Sequence, residues 1–393
     1  QIMPYAWGSK VWIPEFTNRP LPSDTPVAEL WMGAHPKAPS QIEMDGRWVS
    51  LDIAIHADPL SFLGESSIWR FGLRLPFLFK ILAVETPLSI QAHPDKIRAK
   101  KGFTLENQLG VSLDAPQRNY RDDNHKPECI CALTPFWALR GFRPLNEIIA
   151  LLETVWPNTT GSISHTLKNT LKSHGLTTFY QKVMTLPEDL KPVLVSETVE
   201  RARSRIEKDS AFEWIVTLNS HYPGDIGVLS PVFLNLVRLE PAQALFLDSG
   251  TLHAYLFGMG IELMANSDNV LRGGLTPKNV DVDELLKVVR FTHETPEILT
   301  AVGAEDGASV YPSFTEDFTL STLSLSPQQV YQCNRPHGIE IWLLCRGEAR
   351  ITDIRTGTAL DLKQGDSVLV PSVSTPYRLE GNGMLYRASV KVH

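Results

Sequence analysis

The sequence predicts a mainly β chain interrupted once by a helical insertion. Three observations carry this. Strand-length apolar runs, punctuated by Pro14, Pro20, Pro22, Pro26, Pro36 and Pro39, occupy residues 1–143. From about Leu145 to Tyr222 the apolar residues change to helical spacing. Strand patterns resume at Val232 and continue to the end of the chain.

Each element follows from its local pattern. Phe77-Leu-Phe-Lys-Ile-Leu-Ala-Val84 and Cys129-Ile-Cys-Ala-Leu133 are continuous apolar runs, as buried strands require. Asp58–Phe62 and Ile97–Gly102 are the helix candidates of the first stretch. In the middle stretch Ile148, Ile149, Leu151, Leu152 and Val155 form one helical stripe, and Val195, Val199 and Ile206 another. Pro187 and Pro192 interrupt the series, and its lysines and glutamates read as a solvated face without chemistry. Val232–Leu239 and Ile339–Cys345 are the later strands.

An internal echo suggests the architecture. Ala244-Leu-Phe-Leu-Asp-Ser-Gly-Thr-Leu-His-Ala254 lines up with Ser367-Val-Leu-Val-Pro-Ser-Val-Ser-Thr-Pro-Tyr377 as strand, tight turn, strand. In this register His253 faces Pro376, so the second copy lacks that imidazole. Such units, with a polar mouth, are typical of cupin-like jelly rolls. The expected fold is therefore mainly β, with two cupin-like jelly-roll barrels and an α-helical insertion domain. The expected division is 1–143 and 227–312 for the first barrel, 144–226 for the insertion and 313–393 for a C-terminal jelly roll.

Composition narrows the function. At 393 residues the chain exceeds a single core, and 43% hydrophobic with 21% charged residues is an ordinary globular balance. A net charge of −7 without a dense basic block argues against a nucleic-acid partner. An anionic ligand must therefore meet a local basic pocket. No apolar run is long enough to span a bilayer, and the N-terminal residues lack the pattern of a signal peptide. Four dispersed cysteines do not make a disulfide framework. A cytoplasmic monomer with no membrane partner is expected.

Three polar stretches set metal-capable residues beside apolar runs. Gln91 and His93 are two apart, which on a strand places both on one face. Glu128 opens an apolar strand, where a carboxylate is costly unless paired or metal-bound. His253 follows the turn Asp248-Ser-Gly-Thr251 and sits at a barrel mouth. Each alone has a plain explanation: a strand end, a charged turn, a buried histidine satisfied by backbone. Together Gln91, His93, Glu128 and His253 form a ligand set for a divalent ion. Two imidazoles and a carboxylate suit Zn²⁺, although glutamine is unusual there and Fe²⁺ or Mn²⁺ stay open.

Other residues supply charge. Lys126 shares the parity of Glu128, and His125 points the other way. Cys129 and Cys131 fall on the face opposite Glu128 and read as core. Arg272 offers planar recognition of an anion, in a segment with Asn266-Ser-Asp-Asn269 before it and Gly273-Gly274 after it. Lys80 is either a lysine snorkelling at a strand edge or a cavity-facing cation. A metalloenzyme for a small anionic substrate follows. An iron-dependent oxygenase and a sugar-binding bicupin are the competing classes.

At these residues the chain resembles the type I mannose-6-phosphate isomerase (phosphomannose isomerase) family of the cupin superfamily. Tyr120-Arg-Asp-Asp-Asn-His-Lys-Pro-Glu128 and the stretch from His253 to Lys278 look like its two signatures. Ser89-Ile-Gln-Ala-His-Pro-Asp-Lys96 and Ala28-Glu-Leu-Trp-Met-Gly-Ala-His-Pro-Lys37 also look familial. The resemblance implies an aldose–ketose isomerase that interconverts mannose 6-phosphate and fructose 6-phosphate. It implies one Zn²⁺ held by Gln91, His93, Glu128 and His253, with Arg272 as the active-site arginine. Its partner is a small phosphorylated sugar. The chemistry needs proton transfer through an enediol, for which His125, Lys126, Glu262 and Asp268 are the candidate bases. Arg272, Lys126 and Lys80 are the candidates for phosphate or oxyanion binding. One departure is Gly273, where the family usually has Ala; it is expected to add backbone freedom beside Arg272.

Overall fold

The computed structural model describes residues 1–391 except 45, 157, 304–306, 336 and 375. The strand His253–Ala265 is the spine of a 10-stranded antiparallel sheet. Its second half lies between Phe77–Val84 and Glu128–Ala132, and its first half pairs with Phe136–Phe142 and Gln91–Ala92. A bulge between Tyr255 and Phe257 separates the halves.

Register decides which face each residue takes. Glu262 lies opposite Lys80 on one side and Ile130 on the other, and Lys80 lies opposite Trp31. Strand side chains alternate, so Glu29, Trp31, Lys80, Glu262 and Glu128 share one face. The other face carries Phe79, Ile81, Ile261, Leu263, Cys129 and Cys131. That face packs on a second, 8-stranded sheet through Phe318, Ile341, Leu343 and Tyr386.

The second sheet is built on Glu340–Asp353 paired along its whole length with Tyr377–Ser389. The echo in the sequence is an echo in structure: Ala244–Leu247 and His253–Ala265 have 4 and 13 residues, as do Ser367–Val370 and Tyr377–Ser389. The second long strand begins one residue past the expected register, at Tyr377. The chain is mainly β with helices, as expected, but strand pairing among the described residues closes neither sheet into a barrel.

Helices occupy Leu145–Val155, Ile163–Met184 with a break at Gly175, Lys191–Arg203 and Ser210–His221. The stripe Ile148, Leu152, Val155 packs with Val195 and Val199 in a core that also contains Ile90, Leu139, Leu252, Ala254 and Leu271 of the first sheet. The helical stretch thus rests against the end of the sheet that holds His253. Ile206 lies beyond the helix it was expected to extend and is exposed.

Two other expectations change. Val232 and Phe233 end a short helix, and the strand begins at Leu234, because Pro231 favours a first helical turn. The first stretch also holds more helix than its pattern suggested. Leu51–Ala57, Pro59–Leu63 and Glu65–Phe71 are short turns delimited by Asp58, Gly64 and Gly72. Such short helices give little periodicity to detect. No helix of the described residues is long and apolar enough to cross a membrane.

Candidate metal centre and anion cavity

His93, Glu128 and His253 meet at the end of the first sheet, all almost fully buried. Three elements bring them there. His253 opens the long strand and pairs with Gln91, Glu128 opens its own strand opposite Met264, and His93 follows Gln91–Ala92. The Nε2 atoms of both histidines lie 3.2 Å from the Glu128 carboxylate, one on each oxygen.

Hydrogen bonding fixes both tautomers. His93 Nδ1 donates to the Asn269 carbonyl at 2.7 Å, and His253 Nδ1 donates to the Thr251 carbonyl at 2.9 Å. Burial, with the Lys126 charge adding to it, pushes His93 down to about 4, so its ring is neutral near pH 7. The His93 Nε2 therefore presents a lone pair, and neither Nε2 has a hydrogen-bond partner. A lone pair aimed at a carboxylate repels it unless a cation joins them. All three ligand atoms lie within 4.8 Å of one another, and among the described residues this is the one cluster of its kind. Imidazole and carboxylate donors fit a borderline divalent ion.

A line of alternating charges extends from this cluster. Lys126 Nζ is 2.8 Å from Glu128, Lys80 Nζ is 2.9 Å from Glu262, and Lys80 is 3.5 Å from Glu29. The Trp31 indole donates to Glu29. Burial would raise Glu128, but the Lys126 ammonium beside it leads the opposing charges and holds the carboxyl well below its usual range. At Glu262 burial wins: despite Lys80, its carboxyl sits above the usual value. Burial would lower Lys80, yet Glu262 and Glu29 hold it above the ordinary lysine range. Lys80 is thus a fully engaged buried cation rather than a snorkelling one.

Glu29, Lys80, Lys126, Glu128 and Glu262 line a cavity of about 370 Å³ that also takes in Gln91, Tyr255, Arg272 and Lys278. Arg272 is half-buried and makes no side-chain hydrogen bond or ion pair among the described residues. Burial and the Arg121 charge lower its pKa; burial, Arg272 and Arg121 do the same for Lys278 at the mouth. Cations that depress one another, with no carboxylate between them, form a wall suited to an anion.

The structure separates the sequence candidates. Gln91, Lys80, Lys126, Glu128, Glu262 and Arg272 line the cavity, with His93 and His253 beside Glu128. His125 and Asp268 do not line it. His125 turns away, as its parity suggested, and pairs with Asp317 at 2.8 Å. Asp268 is held by Lys37 at 2.8 Å and His35 at 3.5 Å. Its neighbour Asn269 is a clasp: it accepts from Arg121 N at 2.7 Å and donates to the carbonyls of Asp122 and Asn124 at 2.9 and 2.8 Å.

Sequence reasoning missed Glu29, Tyr255 and Lys278. Strand parity with Lys80 could have found Glu29 only once the pairing of its strand was known. Gly273 also needs a new explanation. Its N–H donates to Ile90 O at 2.8 Å, so it is held rather than freed. A Cβ there would lie 3.1 Å from the Tyr180 hydroxyl and 3.3 Å from Ile90 Cγ2. The glycine makes room for the helical stretch.

Comparison with known proteins agrees with this geometry. Residues 1–145 match the family described as phosphomannose isomerase type I, catalytic domain. The chain is 38% identical to the mannose-6-phosphate isomerase of Escherichia coli strain K12, covering 100% of this chain and 98% of the relative. It is 34% identical to the human enzyme of that name, covering 94% and 91%. A crystal structure of mannose 6-phosphate isomerase from Salmonella typhimurium, bound to substrate (f6p) and zinc, superposes with a TM-score of 0.90 at 36% identity, covering 100% and 98%. Likeness maintained over the whole length, helical stretch and second sheet included, places the chain in the type I phosphomannose isomerase family.

Proposed function

We propose that this chain interconverts mannose 6-phosphate and fructose 6-phosphate, with one zinc ion at Gln91, His93, Glu128 and His253. One observation carries the proposal: two buried imidazole Nε2 atoms without hydrogen-bond partners face a carboxylate at the edge of a cavity that Arg272 and Lys278 also line. A sugar phosphate has matching ends, hydroxyl and carbonyl oxygens at one and a dianion at the other. Bound there, zinc supplies positive charge to the sugar oxygens as a Lewis acid.

The chain's own groups do the rest. Arg272 and Lys278 take the negative charge of the substrate. Glu262, raised by burial and fixed by Lys80, takes the proton from C2 of the open aldose and returns it to C1 through an enediol, while the O2 hydroxyl proton passes to O1. Lys126 lies 2.8 Å from Glu128 and stabilises the developing oxyanion beside it. His125 and Asp268 have positioning roles, because their partners hold them elsewhere.

The repeated strand lengths support treating the two sheets as cupin-like jelly rolls. The division at 144–226, 227–312 and 313–393 is proposed with them. The free cysteines suit a reducing cytoplasm, and the protein is proposed to act as a monomer.

The test is isomerisation of mannose 6-phosphate before chelation, after it, and after zinc is restored. Activity that vanishes with the metal and returns with zinc supports the proposal. Folded, zinc-loaded protein that binds the sugar phosphate without turnover would replace it with a binding protein.

A further inference from the structure

The loop carrying Arg272 and Lys278 is gripped from both sides. On the sheet side Gly273 N donates to Ile90 O at 2.8 Å, and Ile90 N donates to Gly274 O at 3.0 Å. On the other side stands Asp225, in the turn that follows the helix Ser210–His221. Its Oδ1 accepts from Gly227 N at 2.7 Å and from Leu275 N at 2.9 Å, and its Oδ2 accepts from Thr276 N at 3.1 Å.

The grip matches an unusual backbone. Leu275 has φ of 54°, a left-handed value that a leucine adopts only when its surroundings impose it. Gly274, at φ 121°, touches Gly227 so closely that a Cβ on it would lie 2.9 Å from Gly227 Cα. Asp225 does not line the cavity, whereas Arg272, Leu275, Thr276 and Lys278 all do. Tyr222 joins the same region to the site, lining the cavity while its hydroxyl donates to Pro87 O at 2.6 Å.

We propose that Asp225 is a positioning residue: its carboxylate holds Leu275 and Thr276 so that Arg272 and Lys278 face the cavity. The helical stretch, whose sequence carries no chemistry of its own, thereby shapes the anion-binding wall. Charge-assisted hydrogen bonds to two loop amides are strong enough to select one loop conformation. The proposal rests on the site taking a sugar phosphate.

The test compares zinc-loaded wild type with Asp225→Ala and Asp225→Asn. It follows kcat and KM for mannose 6-phosphate, zinc content, and amide exchange resolved by peptide. Asp225→Ala is expected to lose at least about tenfold in kcat/KM, with zinc content unchanged and faster exchange confined to residues 271–280. Asp225→Asn keeps an oxygen for Gly227 and Leu275 and is expected to lose only about threefold. An Asp225→Ala variant within twofold of wild type overturns the proposal. So does a loss accompanied by zinc loss, or by faster exchange throughout the chain. Wild type without isomerase activity would instead overturn the assigned reaction, and the exchange comparison alone would then decide the role of Asp225.

Discussion

Arg272 is half-buried and, unlike Lys80 and Lys126, has no carboxylate partner among the described residues. Lys80 and Lys126 are paired with Glu262 and Glu128, and under the proposed function the substrate phosphate is the counter-ion of Arg272. Arg272→Ala is expected to lower kcat/KM by about 100-fold or more, and steady-state kinetics will say where the loss falls. A loss in kcat assigns Arg272 to the transition state, and a loss in KM alone assigns it to ground-state phosphate binding. Gly273 gives a second prediction. Alanine there gains about 0.4–1 kcal/mol from a stiffer unfolded chain, against about 1–3 kcal/mol for crowding a packed site. A double-mutant cycle of Gly273→Ala with Tyr180→Phe is expected to show coupling of about 0.5–1 kcal/mol in urea unfolding, because the hydroxyl is what the methyl meets. Additive effects would remove Tyr180 as the reason for the glycine. At this scale the sequence was informative: two-residue spacing and strand parity picked out Gln91, His93, Glu128 and Lys126 and turned His125 away. It was silent on Glu29 and Tyr255, whose positions depend on strands paired across long separations.

Elements explain what the residues could not. Phe77–Val84 was legible as a strand because every one of its residues is buried, so no alternation was needed to see it. The short helices between Leu51 and Phe71 were not, since one or two turns carry almost no period. The connections between elements hold a pH-sensitive contact. Asp317, just before the strand Thr319–Leu325, accepts from His125 in the segment that leads into Glu128. Burial would raise Asp317, but hydrogen bonds from His125 and Thr315 and the His125 charge outweigh it, and its pKa is lowered. A carboxylate lowered on folding stabilises fully above its unfolded pKa of about 3.9 and loses that contribution as pH falls through its folded value. Asp317→Asn is therefore expected to destabilise near pH 6 and to flatten the acid limb of the stability curve. Urea midpoints between pH 3 and 6 measure this, and parallel curves for the two proteins would rule it out.

Two of the molecule's cores are shared between its parts, beside a core that the second sheet keeps to itself. The first sheet lends one face to the second sheet and one end to the helical stretch. The faint echo in the sequence did point to strands of matching length in two sheets, but a periodic pattern cannot tell an open sheet from a closed one. Nor could it show that Cys131, read as core, would lie 3.3 Å from the Tyr311 hydroxyl across the junction with the second sheet. Deleting residues 313–393 would uncover Phe79, Ile81, Ile261 and Leu263 together, a contiguous apolar face. The shortened chain is expected to aggregate or to elute as oligomers on size exclusion, although every proposed ligand remains. A monodisperse, zinc-binding fragment would show instead that the first sheet stands alone.

The close approach of Tyr180 to Gly273 reaches beyond this one chain. Two positions far apart in sequence share a single volume, one on a helix and one beside the arginine of the site. A relative with a methyl at the second position must find that space by shrinking or retracting the first. The two are expected to drift as a pair over evolutionary time, so substitutions in the helices keep a trace of the shape of a cavity they do not line.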